Sequence, residues 1–206
     1  RGRGLQNLIR RFESDHGVKK NIMARVASVG RQELSPAVKV AFERHVEQYQ
    51  SRVTNMKNIL GHSLLAFDVY MQWYPLYQEV EKIVGKRMAC LFAYAISYSA
   101  DCPLCSTFFR KQIIDGGEKP ESLILTKEER LLLDFGSSIA KCQGNIADHI
   151  FDPLGNKYSK REIVILVAFA GQMIATNIFN NVIETDMDEF LMDYLPPVRS
   201  IWQNAR

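Results

Sequence analysis

The chain is 206 residues long, enough for one large helical domain or a domain with an arm. Its 47% apolar and 24% charged residues are ordinary for a globular protein, and a net charge of +3 is too small to point to nucleic acid. No stretch approaches the ~18 uninterrupted apolar residues of a membrane helix, and four cysteines (Cys90, Cys102, Cys105, Cys142) do not resemble a secreted disulfide framework. A reducing, cytoplasmic setting with no membrane partner is the expectation.

Charge is unevenly spread. Residues 1–52 hold eleven Lys/Arg against five acids, a net +6, so the remainder carries −3. This sets residues 1–34 apart as a basic helical arm, with the main domain over 35–206. The chain begins with Arg1, not Met, and reads as trimmed or as part of a longer chain. Leu5, Leu8, Ile9, Phe12, Ile22, Val26 and Val29 give the first 30 residues a weak helical pattern, punctuated by Gly17 and Gly30.

Ser35-Pro36 is a strong helix start, and Val38, Phe42, Val46, Tyr49, Val53 and Met56 carry that helix to about Leu60, with Gly61 as the stop. A second helix is predicted over Leu64 to Tyr74, and a third from about Gln78 to Ser99. Met88 to Ser99 are nearly all apolar or small, so this helix should be buried on most sides. Ser99-Ala100-Asp101 breaks it, and the next helix opens at Cys102-Pro103-Leu104-Cys105 and closes at Asp115-Gly116-Gly117. Capping boxes at Thr126 and Ser159 start helices to about Cys142 and Asn181; a last helix covers Asp186 to Tyr194. Strand signals are absent, and the expected fold class is all-α.

The CxxC carries the chemistry. The first turn of a helix has unpaired N–H groups and the positive end of its dipole, which favour thiolate over thiol, and Pro103 fits where its missing N–H costs nothing. Cysteine can equally be a small buried hydrophobe. Cys90 could complete a three-thiol cluster or simply fill core, and Cys142 reads as structural. Asp148, His149 and Asp152 fall in a predicted loop and do not make a metal site; His16, His45 and His62 read as surface or core-edge residues. No metal or cofactor is expected. Phe67, Tyr70, Trp73, Tyr74 and Tyr77 read as core and interface packing that could also line a pocket near the thiols.

The order of parts, with a buried helix, then Cys102-Pro103-Leu104-Cys105, a Gly turn, two capped helices and Thr176-Asn177-Ile178-Phe179-Asn180-Asn181 ahead of Asp188-Glu189-Phe190, resembles the alkyl hydroperoxidase D (AhpD)-like, or carboxymuconolactone decarboxylase-like, family. The similarity covers about Leu60 to Tyr194. It implies an all-α fold assembled as a trimer or hexamer, a peroxide substrate and a dithiol reductant, with Cys105 attacking the peroxide and Cys102 resolving the sulfenic acid. The family's proton relay is missing. Its Glu, twelve residues before the first cysteine, is here Cys90; its His, four after the second, is Phe109; a further His of some members is Leu104.

A thiol without a base is only a few per cent ionised at neutral pH, so slow peroxidase chemistry is the expectation. Tyr98, Asp101 and Arg110 are the candidate substitutes, with a core-edge phenol, a cap and a solvated cation as their plain readings. Phe109→His is expected to restore a base. The leading function is thus a thiol-dependent peroxidase or disulfide oxidoreductase. The alternatives are a family scaffold that serves binding or assembly, and lactone decarboxylase-like chemistry. The apolar stretch from Ile163 to Ile178 also predicts a homo-oligomer.

Overall fold

Short polar side chains decide where most of these helices begin. The computed structural model describes residues 24–30 and 32–196, so the arm's first 23 residues lie outside the described part. Ser35 caps α1 (Pro36–Tyr49), its oxygen accepting from the Val38 N–H, and Thr54 and Ser63 do the same for α2 (Asn55–Leu60) and α3 (Leu64–Met71). α4 spans Trp73–Val84, α5 Lys86–Ser99 and α6 Pro103–Asp115. Both predicted capping boxes form, at Thr126 for α7 (Lys127–Lys141) and at Ser159 for α9 (Lys160–Ile183). α8 (Asp148–Lys157) lies between them, and the described residues contain no strand.

Several boundaries differ from the sequence expectation. The long helix from Ser35 to Leu60 is two, because Gln50 takes a left-handed conformation (φ 46°) and ends α1. Tyr74 belongs not to the end of one helix but to the first turn of α4, and Gly85, at φ 82°, separates α4 from α5 where a single helix was expected. The stretch 148–157, read as loop, is helical with Pro153 inside it. Asp186 to Tyr194 is shorter and tighter than expected, a 3₁₀ segment over Glu189–Tyr194. Residues 24–30, part of the predicted helical arm, are not helical; Arg25 bonds through its N–H to Ile183 O (2.8 Å) and through its side chain to Val182 O and Glu184.

α5 is the centre. It packs on α4, α6, α7 and α9, and Ala89, Phe92, Ala93 and Ile96 are fully buried. The seam with α7 closes on Gly136, where a Cβ would stand 2.7 Å from the Phe92 ring and 3.0 Å from Ile96. Only glycine permits so close an approach, and it holds α5, and with it the CxxC that follows, against a fixed support.

α9 is the most apolar of the long helices. With a mean hydropathy of 1.8 it is long and apolar enough to cross a membrane by length and composition, although Gln172, Thr176 and Asn177 interrupt any unbroken apolar run. Here it packs on α4, α5, α7 and α8 through Leu166, Phe169, Ala170 and Met173, and leaves Val164, Val167, Ile178 and Val182 exposed.

Candidate active site

The turn between α5 and α6 aims the two thiols. Asp101 takes a left-handed conformation (φ 49°), and Cys102 is extended behind it, its N–H bonded to Ser97 O at 3.1 Å. Pro103 then opens α6, and the Ser106 N–H returns to Cys102 O at 3.0 Å. Cys102 is therefore the cap residue and Cys105 stands one turn in, both reduced and buried.

Their environments differ. The Cys105 thiol, and after it the N–H groups of Cys105 and Leu104, face the Cys102 sulfur and hold Cys102 below the ordinary thiol range despite burial. Cys105 is pushed well up, because its proton is engaged by Cys102 and because it is buried. Cys102 is only 1% exposed, whereas Cys105, at 8%, lines an open cleft of about 610 Å³.

Asn180 completes the thiol site. Its Nδ2 donates to Cys105 Sγ at 3.2 Å and lies 3.4 Å from Met56 Sδ. An N–H aimed at sulfur favours the thiolate, the opposite pull to burial. Its neighbour Asn181 donates to the carbonyls of Ala100 (3.4 Å) and Asp101 (3.2 Å), pinning the turn from the other side.

The expected substitutes for a relay do not gather at the thiols. Tyr98 is 50% exposed beside Tyr94. Asp101 is exposed and serves through its backbone. Arg110 is not a solvated cation: it is 9% exposed and paired with Glu121 at 2.5 Å. Cys90 points its thiol at Phe109 O, 3.7 Å away, and burial, reinforced by the charges of Glu118 and Glu81, pushes it up to about 12. The positions of the family's Glu and His are therefore in contact, but as a thiol and a buried aromatic ring.

A second set of polar groups gathers around Lys57, which lines the same cleft. Lys57, buried at 6% exposure, gives its ammonium hydrogens to Arg52 O (2.7 Å), Tyr74 Oη (2.9 Å) and Ser51 Oγ (3.1 Å). Burial lowers it to about 8, opposed by the attraction of Asp188. Ser51 Oγ also lies 2.9 Å from Nε2 of His45, which is buried rather than at the surface or core edge, and is lowered to about 4 by burial and then by the Lys57 charge. The predicted aromatic cluster lines the same cleft with Tyr70, Trp73, Tyr74 and Tyr77, joined by Phe108 and Phe109. Lys57, Ser51 and Asn180 were not singled out from sequence, and only the Asn-rich end of α9 hinted at one of them.

No family model matches the chain, and no curated protein matches it. Solved structures do. The debrominase Bmp8 in its apo form superposes with a TM-score of 0.66 at 16% identity, over 82% of this chain and 95% of its own. A cysteine-to-alanine variant of Bmp8 in complex with 2,3,4-tribromopyrrole gives 0.69, also at 16% identity, over 82% and 94%. An uncharacterised peroxidase-related protein from Silicibacter sp. TM1040 gives 0.63 at 14% identity, over 84% and 97%. The chain therefore has the all-α AhpD-like fold of these proteins.

Proposed function

We propose that the protein is a thiol-dependent peroxidase of the AhpD-like family that reduces an organic hydroperoxide with the Cys102–Cys105 pair and is recycled by a dithiol. The observation that carries this reading is Cys105 itself: a thiol lining an aromatic cleft, with an N–H donor at 3.2 Å and a second thiol bonded to it from behind. A cleft of about 610 Å³ has room for a substrate far larger than hydrogen peroxide.

The pair supplies the base that the family's relay would have supplied. As Cys105 Sγ attacks the outer peroxide oxygen, its proton passes to the Cys102 thiolate, and the Asn180 N–H supports the charge that develops on the attacking sulfur. Cys102 then attacks the sulfenic sulfur, water leaves, and the disulfide forms. A base that is itself a buried thiolate explains why the reaction should be slow compared with a histidine relay.

The test is peroxide consumption with cumene hydroperoxide and excess dithiol. Cys105→Ser should abolish it, and Cys102→Ser should leave a sulfenic acid at Cys105 that a dimedone-type reagent traps. Unchanged turnover in Cys105→Ser removes the site. A second reading, reductive dehalogenation of a small aromatic, draws on the aromatic lining of the cleft and on the fold shared with a debrominase. Bromide release from 2,3,4-tribromopyrrole, absent in Cys105→Ser, would favour it.

A further inference from the structure

Breaking an O–O bond produces an alkoxide, a strong base that leaves well only if it is protonated as it departs. On the peroxidase reading Cys102 takes the proton of Cys105, but Cys102 is 1% exposed and does not line the cleft, so it cannot hand that proton to the leaving oxygen. Cys90 and Phe109 cannot do so either.

The Lys57 cluster has the required polarity. Lys57 has three hydrogens and three acceptors, Arg52 O, Ser51 Oγ and Tyr74 Oη, at 2.7, 3.1 and 2.9 Å. The phenol oxygen therefore accepts from Lys57, and the Ser51 hydroxyl stands on the same, accepting side of it. Ser51 accepts in turn from His45 Nε2, 2.9 Å away, when the imidazole proton sits on Nε2, and so keeps its own hydrogen for the phenol oxygen. With both neighbours on its accepting side, the phenolic hydrogen of Tyr74 is left to point into the cleft that Tyr74 and Cys105 both line.

We infer that Tyr74 is the acid of the reaction, giving its phenolic proton to the alkoxide that leaves when the O–O bond breaks at Cys105. The inference rests on the peroxidase reading. The step balances as follows: the S–O bond forms at Cys105, the O–O bond breaks, and the alkoxide takes the Tyr74 proton and leaves as alcohol. The phenolate takes a proton from Lys57 Nζ, 2.9 Å away. Lys57 recovers one from solvent through the open cleft. Lys57, at about 8, holds a proton at neutral pH that it can give up, which an ordinary surface lysine does far less readily. Tyr74 is thus a catalytic residue, and Lys57 with Ser51 and His45 positions and reloads it.

Leaving-group basicity provides the test. Reduced full-length protein is mixed in a single turnover with cumene hydroperoxide, which leaves as a strongly basic alkoxide, or with meta-chloroperoxybenzoate, which leaves as a carboxylate needing no proton at neutral pH. Closure of the Cys102–Cys105 disulfide is followed by loss of free thiol. Tyr74→Phe should slow the hydroperoxide reaction about a hundredfold or more and leave the peracid reaction within about threefold, the difference a positioned acid makes. Lys57→Met should show the same selectivity at about tenfold, and it decides the matter alone if Tyr74→Phe does not fold. If the variants slow both peroxides alike, or neither, while the parent closes the disulfide with both, Tyr74 is not the acid and the peroxidase reading stands. If neither peroxide closes the disulfide in the parent, the peroxidase reading fails and this inference with it.

Discussion

Where α5 meets α6, Cys90 and Phe109 are packed into the main apolar core, and the Cys90 thiol faces the Phe109 carbonyl. Where α1, α2 and α4 meet, His45, Ser51, Lys57 and Tyr74 form a connected hydrogen-bonded network, with His45 and Lys57 buried and Ser51 and Tyr74 half-buried. The cleft thus has a dry wall where the family resemblance places a proton relay and a wet wall where it places nothing. The contrast teaches that the proton-handling groups of a site need not stay on the helices that carry its thiols. They need only face the same space.

The sharpest way to break this contrast is to wet the dry wall. Cys90→Glu puts a carboxylate into a close-packed core that already feels the charges of Glu118 and Glu81, and an uncompensated buried charge of this kind costs about 3–5 kcal/mol. A lower urea midpoint with unchanged slope is expected. A variant as stable as the parent and faster with hydroperoxide would mean that the relay position is still usable. Phe109→His, which by resemblance alone should restore a base, meets the same packing: Phe109 is 3% exposed and stands among Trp73, Tyr77 and Phe108. It is expected to lose stability without gaining rate.

The wet wall should reveal itself in acid. His45 titrates at about 4 in the folded chain against 6.5 for a free histidine. Between those two values the unfolded chain binds a proton at this site that the folded chain does not, so stability falls as pH drops, by up to about 3 kcal/mol. Lys57, lowered from 10.5 to about 8, acts in a separate window, where raising the pH relieves the burial of its charge. Urea titrations from pH 7 to 4 should show the acid loss, and His45→Phe should flatten it. An identical slope in that variant would place the acid sensitivity elsewhere.

Between the walls, Asn180→Ala removes the donor on Cys105. A hydrogen bond to a charged group contributes about 1.5–3 kcal/mol, so attack should slow roughly ten- to a hundredfold in stopped-flow thiol loss. The smallest effect belongs to Cys90→Ala. It should cost about 1 kcal/mol as lost packing and leave peroxide turnover unchanged. A rate change there would bring Cys90 back into the chemistry.

The thiol side of the site was largely legible in the sequence, because its signals are local. Pro103 after Cys102 and the small residues before them mark a helix restart, and two capping boxes fixed the starts of α7 and α9 to the residue. The wet wall was not legible. Lys57 and Tyr74 are 17 residues apart, and the expected single helix from Ser35 to Leu60 would have carried Ser51 away from Lys57. What brings them together is the reversal after Gln50, a residue with no β-branch and no proline beside it, whose left-handed turn no local pattern announces. His45 shows the same limit: one polar residue on a helix face reads as surface until Phe67 and Tyr74 close over it. Asn180 meets Cys105 across 75 residues, a contact that only the packed fold supplies.

The consecutive pair Asn180 and Asn181 makes α9 a ruler. Both grips on the thiol turn, one on sulfur and one on the carbonyls before it, are set by counting along a single 24-residue helix from the Ser159 cap. One residue inserted anywhere between Ser159 and Asn180 would turn that end by about 100° and carry both amides off their targets at once. The length of α9 is therefore not free to change.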